Sequence, residues 1–122
     1  MMQRKQENPE LLSAAVVAAT ALRGVSRAQR VPAAQLHVLL TVHVLLQTNA
    51  FRTAADLGRL QLMSLPLLRQ YVRALEERGL LRREKFFRKG PRTLALTFEG
   101  KDLAKRCARA VEQATTAFAS GA

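Results

Sequence analysis

Arg69, Gln70 and Arg73 are the side chains of this sequence best suited to reading a base pair, and they share the polar side of one segment with helical apolar spacing. The guanidinium group of arginine can bridge O6 and N7 of guanine, and the amide of glutamine can pair with adenine. An exposed arginine is ordinarily no more than a solvated surface residue. The interpretation therefore depends on the elements that position these three side chains.

The segment that carries them begins at Ser64 and Pro66. The Ser64 hydroxyl can cap free backbone amides and Pro66 suits a first helical turn, while both residues could also touch phosphate or the rim of a groove. Apolar residues then recur at i, i+3, i+4 and i+7, which predicts an amphipathic helix with one inward face. That face consists of Leu68, Tyr71, Val72 and Leu75. Gly79 is expected to end the helix.

Two runs after Gly79, LLRREKFF and RTLALTF, are rich in aliphatic and aromatic residues and predict strands. The intervening RKGP suits the tip of a hairpin, where cations could contact phosphate or the minor groove. The candidates at the tip are Arg88, Lys89 and Arg92. Cations on the strand are weaker candidates, because alternation directs half of the side chains of a strand away from any one partner. These are Arg82, Arg83 and Lys85.

The charge balance favours a polyanionic partner. Twenty Lys and Arg against nine Asp and Glu give a net charge of +11 and a pI near 11.4. Residues 69–92 contain nine of these bases and three acids, so 24 residues carry +6 of the total. The excess therefore coincides with the predicted helix and hairpin.

The remaining segments are expected to form the helices that support the predicted helix and hairpin. Asn8 caps a first helix to about Arg23, ended by Gly24, and its alanine-rich sequence is apolar on most sides, which suggests a partner helix. Pro32 opens a second helix through about Gln47, apolar nearly all round. Thr53 and Asp56 resemble a capping box before a short helix, AADLGRLQ, with a small β-bridge suggested at FRT. A last helix is expected from Glu99 to about Phe118.

A short helix, a tight turn, a second helix and a basic hairpin have the layout of a winged helix-turn-helix. We therefore expect a single domain over residues 1–122 that is mainly α with a small β-hairpin wing. The phrases LEERGLLRRE and LTFEG, within residues 36–107, resemble the MarR group of bacterial winged-helix transcription factors. The Asp-x-Arg phrase usual in the wing of that family is replaced here by RKGPR.

This resemblance implies an assembly. In the family, N- and C-terminal helices pair across a two-fold axis, so residues 1–30 and 99–122 would form a homodimer around a winged-helix core, residues 32–98. The implied activity is DNA binding by a transcriptional regulator. We expect a repressor that binds an inverted repeat. A ligand pocket between the lobes is a family feature, but the sequence identifies no effector.

Other chemistry has little support. His37 and His43 are six residues apart, so they do not share a helical face as metal ligands would, and we expect them to be core or interface residues, with pH sensing left open. Cys107 lies on an apolar stripe, so we expect a buried, unreactive thiol, with oxidant sensing as the alternative. Phosphate-binding loops, metal-ligand clusters and catalytic arrangements are absent from the sequence. We expect no enzyme and no cofactor.

Two other roles remain open. The same fold could serve a plasmid or phage partition or replication protein that coats repeated sites, or the basic face could meet an acidic protein partner. The longest apolar stretch, residues 36–46, is too short to span a bilayer, and the N-terminus lacks the apolar core of a signal peptide. A cytoplasmic, nucleoid-associated protein without a membrane partner is expected.

Overall fold

The computed structural model describes residues 8–48, 53, 57, 63–84 and 93–120. Within those ranges the chain forms four helices and one antiparallel pair of strands, which confirms the predicted fold class. The elements are α1 (Pro9–Gln29), α2 (Ala33–Gln47), α3 (Leu65–Glu77), β1 (Leu81–Glu84), β2 (Thr93–Leu96) and α4 (Phe98–Ala119). The predicted β-bridge and hairpin tip lie outside the described residues, as does the short helix except for Leu57, which is helical and fully buried.

Helix α1 begins as predicted and ends later. The Asn8 side chain accepts hydrogen bonds from the backbone N–H groups of Glu10 and Leu11, at 3.0 and 3.3 Å. The prediction that Gly24 ends the helix is wrong, because α1 continues to Gln29 and closes at Arg30, which adopts a left-handed conformation (φ 55°). A helical glycine costs only about 1 kcal/mol relative to alanine, and packing of the apolar residues around Gly24 offsets that cost.

Helix α2 forms the centre of the core. Its residues Leu36, Leu39 and Val42 have no exposed surface, which matches a helix that is apolar nearly all round. Besides α1, two helices pack against it, α3 and α4. They contribute the buried residues Leu68, Val72, Leu75, Leu103, Ala104 and Cys107. The position of α3 is therefore defined by apolar contacts on its buried face.

Helix α1 packs along α4 but leaves most of its apolar surface uncovered. Leu22 is its one buried residue, whereas Leu11 and Val16 are 68% and 65% exposed. By length and composition α1 could cross a membrane, with a mean hydropathy of 1.3 over its most apolar part, although the core helix of a soluble protein or a signal sequence near the N-terminus meets the same criterion. An exposed apolar surface of this extent is unusual for a helix that contacts only its own chain.

Candidate nucleic-acid interface

The start of α3 has the predicted local chemistry. Ser64 is extended (φ −62°, ψ 147°) and its Oγ accepts a hydrogen bond from the N–H of Leu67 at 3.4 Å. Pro66 occupies the first turn, where its missing N–H would have had no helical acceptor. Both Ser64 and Pro66 are exposed, so the N-terminal end of α3 is open to solvent.

The two faces of α3 differ as the apolar spacing predicted. Leu68, Val72 and Leu75 are at most 1% exposed, and Tyr71 is half-buried against the same core. Arg69, Gln70 and Arg73 are exposed on the opposite face, and among the residues that the structure describes neither arginine has an ion-pair or hydrogen-bond partner. The helix thus exposes two guanidinium groups, four residues apart, to solvent. Packing of the buried residues on the opposite face fixes their position.

Gly79 ends α3 as predicted. The residue has φ +74°, a conformation that side chains with a Cβ rarely adopt. The chain can therefore reverse direction at once, and the N–H of Leu80 donates to the carbonyl oxygen of Leu75 at 2.9 Å. Strand β1 begins one residue after Leu80. The wing is consequently tied to the end of α3 without an intervening loop.

Thr97 and Gly100 join the base of the wing to the end of α3, a role that the sequence did not reveal. Thr97 Oγ1 donates to the carbonyl oxygen of Gly79 at 2.6 Å and accepts from the N–H of Gly100 at 3.0 Å. The Thr97 N–H donates to the carbonyl oxygen of Leu80 at 3.3 Å. A Cβ at position 100 would lie 2.7 Å from the carbonyl carbon of Leu80, so only glycine permits this approach.

The strand arginines have partners within the chain. Arg83 Nε lies 2.7 Å from Glu76 Oε1 on α3, and Arg82 Nη2 lies 2.8 Å from Glu84 Oε1 on the same strand. Each arginine is thus paired with a carboxylate. Its contribution to the positive potential outside the protein is therefore smaller than the sequence suggests. The Arg83 pair also adds a polar contact between β1 and α3.

The hairpin register gives the direction of the wing. Leu81 pairs with Leu96 at the base, and Glu84 pairs with Thr93 at the far end of the described ladder. Residues 85–92 connect the strands beyond that pair, and with them the candidates Lys85, Arg88, Lys89 and Arg92 lie outside the described residues. Their contacts with nucleic acid remain a prediction.

The histidines and the cysteine do not form a site with α3. His43 is buried, with Nε2 3.4 Å from the side-chain nitrogen of Gln47, whereas His37 is exposed. Burial lowers the pKa of His43, and the charges of Lys105 and Lys101 lower it further. Cys107 is fully buried, and burial raises its pKa to about 11. In the described ranges no three His, Cys, Asp or Glu side chains come together as metal ligands would.

Several open cavities border α2. One, of about 370 Å³, lies between α2, β2 and the start of α4. It is lined by His43, Leu46, Gln47, Leu94, Ala95, Leu96 and Lys101. Another, of about 540 Å³, is bordered by residues of α1, α2 and α4, among them Leu22, Leu40 and Val111. The second has mainly apolar walls, whereas the first combines four apolar residues with His43, Gln47 and the ammonium group of Lys101.

The order of elements, with a solvent-facing helix that leads through one turn into a two-stranded hairpin, defines a winged-helix protein. No protein-family model matches the chain, and no curated protein matches it in sequence. Solved structures with the same fold do exist, and they are MarR proteins or share the MarR architecture. The predicted resemblance to MarR is therefore confirmed at the level of the fold.

Three of these structures cover nearly the whole chain. NadR in complex with 4-hydroxyphenylacetate has a TM-score of 0.70 and 21% identity, over 97% of this chain and 84% of that one. Apo MarR from E. coli has a TM-score of 0.69 and 18% identity, over 93% and 82%. A Mycobacterium tuberculosis MarR family protein in complex with salicylic acid has a TM-score of 0.67 and 19% identity, over 100% and 88%.

Proposed function

We propose that this protein is a DNA-binding transcriptional regulator that inserts α3 into the major groove. The observation that carries the proposal is the exposed face of α3, where Arg69 and Arg73 have no partner among the described residues and Gln70 lies between them. The major groove, about 12 Å wide, admits a helix, and these side-chain types match guanine and adenine edges. Ser64 and Pro66, at the exposed start of α3, would touch phosphate or the rim of the groove.

The wing would supply further phosphate contacts. Arg88, Lys89 and Arg92 are proposed for this role from their charge and their place in the hairpin connection. Because each phosphate contact releases condensed counterions, Lys89→Ala with Arg92→Ala should weaken binding to all duplexes and flatten the plot of log K against log salt by up to about 2 units per protomer. An unchanged slope would remove the wing from the interface.

We propose a homodimer formed through α1 and α4. The support is the uncovered apolar surface of α1, at Leu11, Leu12 and Val16, together with Phe118 near the end of α4. A two-fold dimer would place two copies of α3 about 34 Å apart, which corresponds to one turn of DNA and an inverted repeat. Val16→Glu should shift the protein toward monomer and weaken operator binding, because a monomer contacts only one half-site of the repeat at a time.

The neighbouring structures suggest which effector to test first. Two of them hold aromatic acids, and the cavity edged by Lys101 combines apolar walls with a single ammonium group. An aromatic carboxylate is therefore the first ligand class to assay for release of this protein from DNA. Repression, relief by a ligand, and action in the bacterial cytoplasm all belong to this proposal.

The decisive experiment is selection of bound fragments from the host genome, followed by footprinting of purified protein. A regulator should protect one symmetric site, whereas protection that spreads over arrays would favour the partition or replication role. Failure to bind any duplex at low salt would favour an acidic protein partner instead.

Arg73→Ala then tests the mode of reading. The loss should be about 1–3 kcal/mol on the selected site and smaller on random duplex, because a base contact carries discrimination that a phosphate contact lacks. Arg109→Ala, an exposed arginine of α4, is the matched control for the loss of one charge. Equal losses on both duplexes would assign Arg73 to phosphate.

A further inference from the structure

Arg78 stands apart from the other cations of the α3 segment because its side chain reaches a distant part of the chain. It caps the C-terminal end of α3, and its Nε donates to Oε1 of Gln35 at 3.1 Å. Its Nη1 donates to the backbone carbonyl oxygen of Arg30 at 3.4 Å. These partners are 43 and 48 residues earlier in the sequence, at the junction between α1 and α2.

The acceptor at this junction is held firmly. Arg30 is the one non-glycine residue with positive φ in the described part of the chain, and its own N–H donates to Ser26. Val31 is buried, and its N–H also donates to the Ser26 carbonyl oxygen, at 3.3 Å. The Ser26 hydroxyl donates in turn to the Val31 carbonyl oxygen at 2.5 Å. The Arg30 carbonyl is therefore presented by a turn that closes α1 and is anchored in the core.

The contacts of Arg78 are directional, whereas the core contacts of α3 are not. Apolar packing resists separation of two helices but resists rotation of one on the other less strongly. Arg69 is nine residues from Arg78, about 13 Å along the helix axis. A rotation of about 10° pivoting at the C-terminal end would displace Arg69 by about 2 Å, enough to break a hydrogen bond to a base.

We propose that Arg78 is a positioning residue that sets the angle of α3 relative to α1, and with it the spacing between the two base-reading helices of a dimer. This inference rests on the proposed function, in which α3 reads DNA and α1 forms the dimer. Arg69 and Arg73 meet the ligand, while Arg78 acts through the junction at Arg30 and Gln35. Its guanidinium is already engaged by two neutral acceptors of the same chain.

The test compares Arg78→Met, Gln35→Leu and the double variant with wild type. Arg78→Met keeps much of the apolar stem and removes the donors, and Gln35→Leu removes one acceptor without a change in charge. Binding is measured on the selected operator and on random duplex over a range of KCl concentrations. The operator is also varied by one base pair in the spacing of its half-sites.

Each single variant should bind the operator about five- to tenfold more weakly, and the double variant should be no weaker than the worse single one. The preference for one half-site spacing should become weaker in both, a change that a loss of folded protein would not produce. Binding of Gln35→Leu to random duplex should stay at the wild-type level.

Other outcomes overturn the inference. Wild-type affinity and spacing preference in Gln35→Leu would show that the junction does not position α3. Equal weakening of Arg78→Met on both duplexes, with a salt slope lower by about 1, would assign Arg78 to phosphate. If Arg78→Met fails to fold, the comparison of Gln35→Leu with Gln35→Glu decides. Glutamate keeps the acceptor oxygen, so Gln35→Glu should retain the spacing preference that Gln35→Leu weakens. Wild-type protein that binds no duplex would refute the proposed function instead, before any variant is compared.

Discussion

Replacement of Gly100 by alanine should destabilise this protein strongly, because the helix start at Gly100 lies directly against the backbone of Leu80. The new Cβ would lie 2.7 Å from the carbonyl carbon of Leu80 and 3.2 Å from its Cα, and closer still to its carbonyl oxygen. Ordinary carbon–carbon contacts are about 3.5–4.0 Å. The clash is with backbone, so no side-chain rotation relieves it, and α4 must move away from Leu80 by more than about 1 Å.

The cost follows from that movement. Overpacking of this kind costs about 1–3 kcal/mol. The same displacement strains the two hydrogen bonds from Thr97 to Gly79 and Leu80, each worth about 1 kcal/mol. The free energy of unfolding should therefore fall by about 3–5 kcal/mol. With a urea m-value of about 2 kcal/mol/M, the unfolding midpoint should fall by about 2 M.

Gly24→Ala is the matched control. A Cβ at Gly24 meets no atom within 4 Å, and the residue lies inside α1 with helical φ. Alanine there should raise the free energy of unfolding by about 0.5–1 kcal/mol, the usual gain in a helix interior. Both variants are unfolded in urea and followed by circular dichroism at several protein concentrations. The reasoning fails if Gly100→Ala lies within about 0.5 kcal/mol of wild type.

Three further outcomes are expected. Burial lowers the pKa of His43 in the folded protein while the unfolded value is 6.5, so the unfolded chain binds more protons as pH falls below 6.5. Wild type should therefore lose stability as pH falls from 6.5 toward the folded pKa, and His43→Gln should reduce this loss. Cys107, with its pKa raised to about 11, should react with an aromatic disulfide reagent at mildly alkaline pH far more slowly in the native protein than in urea. Ser64→Ala should lower the free energy of unfolding by about 1 kcal/mol, and a loss under about 0.3 kcal/mol would show that the Ser64 cap does not stabilise α3.

Local chemistry made much of the fold predictable. The caps at Asn8 and Ser64 and the turn at Gly79 depend on neighbours within a few residues, and all three were identified from residue type alone. The inward face of α3 followed from apolar spacing, since burial of one face is what gives an amphipathic helix its stability. Gly24 was misread because a glycine inside a helix and a glycine that ends one look alike until tertiary packing is known.

Contacts between distant segments were not predictable in the same way. LTFEG was recognised as a phrase typical of a family, yet the reason for it appears only in the structure, where Thr97 meets Gly79 and Gly100 meets Leu80. The contact of Arg78 with the α1–α2 junction spans more than forty residues. Neither contact leaves a periodic signal, because each depends on a few atoms of residues that are far apart in the sequence.

The same limitation applies to charge, since the net +6 of residues 69–92 counts cations that the fold uses internally. Of the five arginines in residues 69–84, three have partners within the chain: Arg78, Arg82 and Arg83. Arg69 and Arg73 remain free for phosphate or base contact among the described residues. If all four of these side chains in a dimer contacted phosphate, they would give a slope of log K against log salt of about −3.6, and each wing cation that contacts phosphate would add about −1.8. A slope steeper than about −3.6 therefore requires cations other than Arg69 and Arg73, and the decrease in slope caused by Lys89→Ala with Arg92→Ala measures the contribution of the wing.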